Sequence, residues 1–357
     1  SPTLPYSNSK KLAASDDGTK VVIRNLGNVS VSSDSGATWA DHVLLSGTNV
    51  YYGDIDMSSD GSIIAVALSS NSWVSEVWIS NNGGDTWAKD NSVPSNQKFT
   101  SVDVSSDGTK ILVAMPNDYP WYSTDSGSSF SEFTNTPGDD DWTAGAISDD
   151  GQTMVMTQDN EIHVSYNGGS SWTKQLDESQ SDFKLVKCSS DCSIIIALDH
   201  GQEEIWYSHD KGRHWATVDI PDYDNEFKQL SMSSDGKQIA FTMSSSYARF
   251  SFDYGVTWVR YRVASGDGSA NGVHVSPDGT RILAQLDSLY IQSAGPPPCA
   301  QNEKVVSNAC VACGAGYSNT AGDDPSGADT TCDPISCGAN EKVVSYACVA
   351  CGAGTSN

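Results

Sequence analysis

The chain has 357 residues, enough for one large all-β domain or two smaller ones, and 45 acidic residues against 20 lysines and arginines leave a formal charge of -25. Such a surface repels phosphate backbones and anionic lipid, which argues against nucleic acid and membrane partners and suits high salt or divalent cations. No apolar run approaches the roughly 20 residues of a membrane span, and Ser1 opens without a basic-then-apolar leader, so a soluble, processed chain with no membrane insertion is expected.

Along the first 280 residues, short period-two runs rich in β-branched residues each end in a Ser-x-Asp-Gly type of turn. The copies are SDDG 15–18, SSDG 58–61, SSDG 105–108, SDDG 148–151, SSDC 189–192, SSDG 233–236 and SPDG 276–279, spaced by 41 to 47 residues. A second series follows the first six by about half a period: SSDSGATW 32–39, SNNGGDTW 80–87, STDSGSSF 123–130, SYNGGSSW 165–172, SHDKGRHW 208–215 and SFDYGVTW 251–258. Each unit fits four antiparallel strands, A to D, with the first turn between A and B and the second between C and D. Four-stranded units repeating at this period predict an all-β fold, a β-propeller, here with seven blades. The seventh unit lacks its second turn and runs into Pro296-Pro297-Pro298, which cannot continue a ladder, so Thr3 to Ser7 are expected to supply its outer strand.

The expected domains are therefore a propeller over 1–295, a proline linker over 296–298 and a cysteine-rich tail. CAQNEKVVSNACVACGAGYSN (299–319) returns as CGANEKVVSYACVACGAGTSN (337–357). Cys299, Cys310, Cys313 and Cys332 make a first module over 299–336; Cys337, Cys348 and Cys351 open a second, incomplete one over 337–357. Crowded cysteines with few large apolar residues predict a disulfide framework and an oxidising, extracellular setting. Two pairings of the first module stay open: Cys299 with Cys310 and Cys313 with Cys332, or Cys299 with Cys313 and Cys310 with Cys332. Cys188 and Cys192 flank the fifth A–B turn and are expected to bond, the cysteine standing where other copies have glycine. Asn28-Val29-Ser30 is a glycosylation sequon at Asn28.

The eight-residue turn resembles the Asp-box of bacterial-neuraminidase repeats, Ser-x-Asp-x-Gly-x-Thr-Trp, shared by sialidases and sortilin-like receptors. SSDSGATW and SFDYGVTW match it throughout, while Asn82, Asn167 and Phe130 depart from it. The tail resembles ephrin-receptor-like and EGF-like cysteine-rich repeats, and is similar to repeats of protist and algal surface proteins. That likeness implies a place in a cell coat, stalk or filament.

The turn carboxylates and amides, Asp34, Asn82, Asp125, Asn167, Asp210 and Asp253, are expected to fasten their own turns, because Asn replaces Asp twice and a general acid would not survive that swap. Trp39, Trp87, Phe130, Trp172, Trp215 and Trp258 are expected to bury against the blades. No catalytic residue is assigned. Six arginines, one of them Arg213 inside a turn, and no Arg-Ile-Pro leave the clamp of the sialidases hard to assemble. Acids at 54, 56, 139–141, 203 and 204 are expected in loops of the face opposite the turns, where a two-carboxylate glycosidase would work. No metal site or cofactor is assigned either; GDDDW 138–142 and GDDPSGAD 322–329 offer oxygens that suit calcium but lack EF-hand spacing. His209 and His214 share one turn and are expected at the surface. The expectation is a secreted, non-enzymatic structural or adhesive protein of a coat, appendage or filament, a glycoprotein whose partners are other coat proteins or its own copies. Alternatives are a glycan-binding or sialidase-like propeller and a sortilin-like peptide receptor.

Overall fold

The computed structural model describes residues 11–293 except 47–49, 71–73, 96–97, 117, 137–141, 221–226, 245–246, 263–271, 280 and 286–288. In the tail it describes 303–306, 309–313, 317–318, 331–334, 341–344 and 347–350. The chain divides into two units, Ser1–Ser293 and Ala294–Asn357. No helix occurs among the described residues.

In the first unit the β-branched runs become the second strand of each sheet. Val21–Asn25, Ile64–Ser70, Ile111–Ala114, Met154–Thr157, Ile195–Asp199 and Ile239–Met243 are buried along their whole length, because sheets pack on both of their faces. Outer strands such as Ala40–Val43, Ala88–Lys89 and Ser131–Glu132 are short and mostly exposed. Burial thus grades outward within each sheet, as in a disc whose sheets stand radially around an axis.

Six sheets are four-stranded antiparallel meanders, paired in sequence order. This corrects the expected seven blades: the propeller has six complete ones. The last unit forms only a three-stranded sheet, Gly272–Val275, Arg281–Gln285 and Leu289–Ser293. Its first strand packs between the inner strands of the sixth blade, Phe227–Met232, and of the first, Lys11–Ala14. It has no second turn to launch a fourth strand, and prolines follow at 296–298. Thr3 to Ser7, expected as its outer strand, lie outside the described residues.

Both turn families lie at one end of the disc, joined within a blade by bonds such as Ser35 N to Thr19 O (2.9 Å) and Gly83 N to Ser62 O (2.8 Å). The second residue of each A–B turn also bonds to the next turn around the axis. Asp16 N donates to Ser59 O, Ser59 N to Ser106 O, Asp149 N to Ser190 O, Ser190 N to Ser234 O and Ser234 N to Pro277 O, all at 2.8–2.9 Å. Between Ser106 and Asp149 the acceptor is the Asp149 carboxylate, at 2.9 Å.

In the tail, each described by its own pairing, Glu303–Val306 pairs Ala309–Ala312, Tyr317–Ser318 pairs Asp333–Pro334, and Glu341–Val344 pairs Ala347–Ala350.

The C–D turns approach the preceding blade closely. Gly84 has φ of 93°, and a Cβ there would meet Val31 Cγ2 at 2.7 Å; at Gly169, with φ of 80°, it would run into the Phe133 ring. Gly169→Ala should therefore cost about 3 kcal/mol through positive φ and overpacking together, read as a lower urea midpoint. An unchanged midpoint would show that the blades do not meet through this turn.

Candidate functional site at the propeller axis

The inner strands present two layers of side chains to the axis because every second residue faces it. Two residues before each turn serine stand Asp56, Asp103, Lys187, Ser231 and His274, with Ala13 and Ala146 completing the layer; Lys11, Asp54, Ser101 and Gln229 belong to the next. They surround a cavity of about 110 Å³ whose wall also includes Ser59, Ser106, Ser190, Ser234 and Pro277, at the end bearing the A–B turns.

An inner strand has no ladder partner on its axial edge, so its N–H groups need other acceptors. Side chains of the preceding blade supply them. Val102 N donates to Asp54 Oδ2 (3.3 Å), Val104 N to Asp56 Oδ2 (3.0 Å) and Ile147 N to Asp103 Oδ2 (2.9 Å). In the three-stranded sheet, Val275 N donates to Ser231 Oγ (2.9 Å). Gln229 spans further, accepting from Leu12 N (3.2 Å) and donating through Nε2 to Leu12 O (2.6 Å) in the first blade.

The carboxylates are paired across the axis. Lys187 of the fifth blade reaches Asp56 of the second at 3.1 Å and bonds to Asp103 of the third, while Lys11 lies 3.4 Å from Asp54. Burial alone would disfavour the Lys187 ammonium, yet Asp103 and Asp56 outweigh it and hold its pKa above the usual lysine range. Burial, opposed by Lys187 and assisted by Asp56, pushes Asp103 up to about 6. Burial lowers His274 to about 4 and lowers Arg24, beside Asp54, to about 10. Burial lowers Lys11 as well, opposed by Asp54.

The expected loop placement of Asp54 and Asp56 is corrected: both lie within the inner strand Val50–Met57. Their alternation with apolar Ile55 and Met57 is the period-two signal that would have placed them on a strand. Glu203 and Glu204 sit at the opposite end, in the hairpin between Ile195–Asp199 and Glu204–Ser208, and do not line the cavity. The acids at 139–141 and both acidic stretches proposed for calcium, apart from buried Trp142, lie outside the described residues. Among the described residues no three His, Cys, Asp or Glu side chains gather as metal ligands.

The C–D turns are self-contained. Asp34 accepts from Thr38 N (2.8 Å), Thr38 Oγ1 (2.6 Å) and Ser32 Oγ (2.8 Å), and the Thr38 bonds hold it at about 2. Asp125 repeats this with Ser129, Asp253 with Thr257, and Asp210 with His214, whose Nδ1 lies 2.5 Å away. Asn82 and Asn167 keep the geometry by dividing the work: Oδ1 accepts from Thr86 N or Ser171 N, and Nδ2 donates to that residue's hydroxyl. Trp39, Trp215 and Trp258 donate from Nε1 to the carbonyls of Gly36, Gly212 and Gly255; Trp87 and Trp172 make no such bond, and Phe130 is buried. His214 is 89% exposed in its side chain, and His209 is exposed with Nε2 2.9 Å from Tyr254 O. Asn28 opens the strand Asn28–Ser32 at the hairpin end opposite these turns, partly exposed, while Ser30 is buried and donates to Asp41.

Cys188 and Cys192 are disulfide-bonded across a Cα separation of 4.8 Å, and Cys192 adopts φ of 51° where six other copies have glycine. Cys313 bonds to Cys332, which excludes the pairing of Cys313 with Cys299. Cys299, Cys337 and Cys351 lie outside the described residues, and the side chains of Cys310 and Cys348 likewise.

No protein-family model and no curated protein matches the chain. Solved structures do. A structure of YCF48 bound to D1 peptide is 13% identical with a TM-score of 0.59, over 82% of this chain and 96% of that one. A chain of the mitotic checkpoint complex is 14% identical at 0.61, over 82% and 90%. A chain of Kuenenia stuttgartiensis hydrazine synthase is 14% identical at 0.63, over 82% and 97%. The likenesses show the β-propeller fold.

Two outcomes are expected. Asp253→Asn should unfold at nearly the wild-type midpoint, whereas Asp253→Ala should lose about 1–3 kcal/mol, as measured by urea denaturation; equal losses would mean that the carboxylate itself is required. The second concerns pH. Asp103, at about 6 against an ordinary 3.8, keeps a proton in the folded chain that the unfolded chain has lost, so its contribution to stability falls as pH rises between those values. His274, at about 4 against 6.5, works oppositely, because there the unfolded chain binds the extra proton and stability rises with pH. Relative to the wild type, His274→Gln should therefore lose about 3 kcal/mol of stability as pH rises from 4 to 6.5. A variant whose pH profile runs parallel to that of the wild type would remove the role assigned to His274.

Proposed function

We propose that the chain is a secreted Asp-box propeller carried on cysteine-rich repeats, acting as a non-enzymatic structural or adhesive disc in an extracellular coat, appendage or filament. The observation that carries this reading is the commitment of the axial acids. Asp54, Asp56 and Asp103 each hold a backbone N–H of the next blade and each meet a lysine. They brace the ring. A glycosidase needs one carboxylic acid and one carboxylate free to reach a sugar at a fixed separation. The Cys188–Cys192 and Cys313–Cys332 disulfides favour an oxidising compartment.

A peptide-binding reading draws support from the cavity at the turn end and from YCF48, which was solved bound to a D1 peptide. Either way the partner is expected to be protein, with glycan at Asn28 an added surface feature.

Electron microscopy of native material should find the discs in a regular polymer or coat, and the purified chain should not turn over a panel of glycosides. Monomeric material that hydrolyses glycosides would overturn the reading.

A further inference from the structure

The six C–D turns share one backbone, so their variable positions can be compared directly. The position before the Asp or Asn is Ser33, Asn81 and Thr124 in the first three blades but His209 in the fifth. The position after it is Ser35, Gly83, Ser126 or Gly168 in blades one to four, and Lys211 and Tyr254 in the fifth and sixth. Two residues further stand Ala37, Asp85, Ser128 and Ser170, then Arg213 and Val256. The fifth turn thus gathers His209, Lys211, Arg213 and His214 in a chain of charge -25.

Its one acid is occupied: Asp210 accepts from Arg213 N, His214 N and His214 Nδ1. The sixth turn adds Tyr254, 39% exposed, and Val256, 44% exposed, and is tied to the fifth by the bond from His209 to the Tyr254 carbonyl. Arg213 lies over the Tyr166 ring, 4.7 Å from its centroid, which holds the guanidinium in place at the surface. The result is an exposed cationic and apolar sector spanning two blades.

We infer that this sector, His209, Lys211, Arg213 and His214 with Tyr254 and Val256, docks a second copy of the chain. The complementary surface is on the same end of the same disc. Every A–B turn exposes an aspartate there, Asp191, Asp235 and Asp278 included, but in blades one to four, beside Asp17, Asp60, Asp107 and Asp150, no C–D turn carries a lysine or arginine, and Asp85 adds a further acid. Hydrogen bonds to their own turns keep Asp17, Asp60 and Asp150 ionised. Two copies apposed turn end to turn end bring each cationic sector onto the other's acidic one, a self-complementary contact made twice. Salt near 0.1 M, with a screening length of about 10 Å, removes the mutual repulsion of two acidic discs at a distance but leaves contact pairs in force. The inference rests on the reading of the propeller as an interaction disc.

The test grafts the second blade's turn onto the fifth by His209→Asn, Lys211→Gly, Arg213→Asp and His214→Thr, all residues this fold already carries at these positions. A second variant places the first blade's residues in the sixth turn, Tyr254→Ser and Val256→Ala. Sedimentation of the wild-type chain at about 0.1 M salt should show a reversible dimer that is lost at about 1 M. The graft should weaken it by roughly tenfold or more, and the second variant should weaken it too, with both melting cooperatively like the wild type. A wild type that stays monomeric, or a graft that dimerises equally well, overturns the inference. In the latter case the interaction-disc reading survives and only this surface fails; polymer-free native material would sink that reading instead. Binding of alginate by the sector without self-association assigns it to an anionic glycan and also overturns the proposal.

Discussion

The hydrogen bond from an inner-strand N–H to a side chain of the preceding blade is the contact on which the ring depends. A sheet standing radially leaves one edge of its first strand facing the axis, where no further strand fits. Unmet, those N–H groups would each cost on the order of 1–3 kcal/mol in a buried setting. Asp54, Asp56, Asp103, Ser231 and Gln229 meet several of them, and in doing so fasten the second sheet to the third, the third to the fourth, and the sixth to the three-stranded sheet and to the first. Using carboxylates for this brings negative charge to a partly dry axis. Lys187, reaching across from the fifth blade, is the answer to that charge, and it makes the axis a strut as well as a hole.

Around this centre the two turn families divide the labour. The A–B turns are joined from blade to blade, through backbone at five links and through the Asp149 carboxylate at a sixth, whereas the Asp and Asn of the C–D turns bond within their own turn, which leans on the previous blade through a glycine. Because the Asp or Asn bonds stay within each turn, the remaining C–D positions can vary in side chain without disturbing the ring. That freedom is what allows the fifth and sixth of them to differ so sharply from the rest.

Much of this was legible from residues alone. Six spaced copies of a Ser-x-Asp turn identify the propeller, and Asn standing in for Asp at 82 and 167 reveals the carboxylate as a turn fastener, since an amide offers the same acceptor oxygen. Blade number was not legible, because a strand A and its SPDG turn at 276–279 look alike whether or not a fourth strand follows. The axial site was missed for a related reason. Acidic residues in a polar stretch read as loop, although Asp54 and Asp56 alternate with Ile55 and Met57, and the pairing of the strand confirms that alternation. The value of Lys187 was invisible, since its partners lie 84 and 131 residues away.

Pro277 gives the ring of A–B turns a property of its own. Each turn donates to the next, and Pro277 accepts from Ser234 but has no N–H to pass on to Asp16. Among the described residues the backbone belt therefore runs in a fixed direction and is interrupted twice, between Ser106 and Asp149, where a carboxylate accepts instead, and between the three-stranded sheet and the first blade. At the second of these Arg281 reaches the Asp17 carbonyl near the rim, and Gln229 of the sixth blade reaches past the three-stranded sheet to Leu12 near the axis. At both interruptions a side chain completes the circuit, so the belt of turns depends on Asp149 and Arg281 where backbone alone does not carry it.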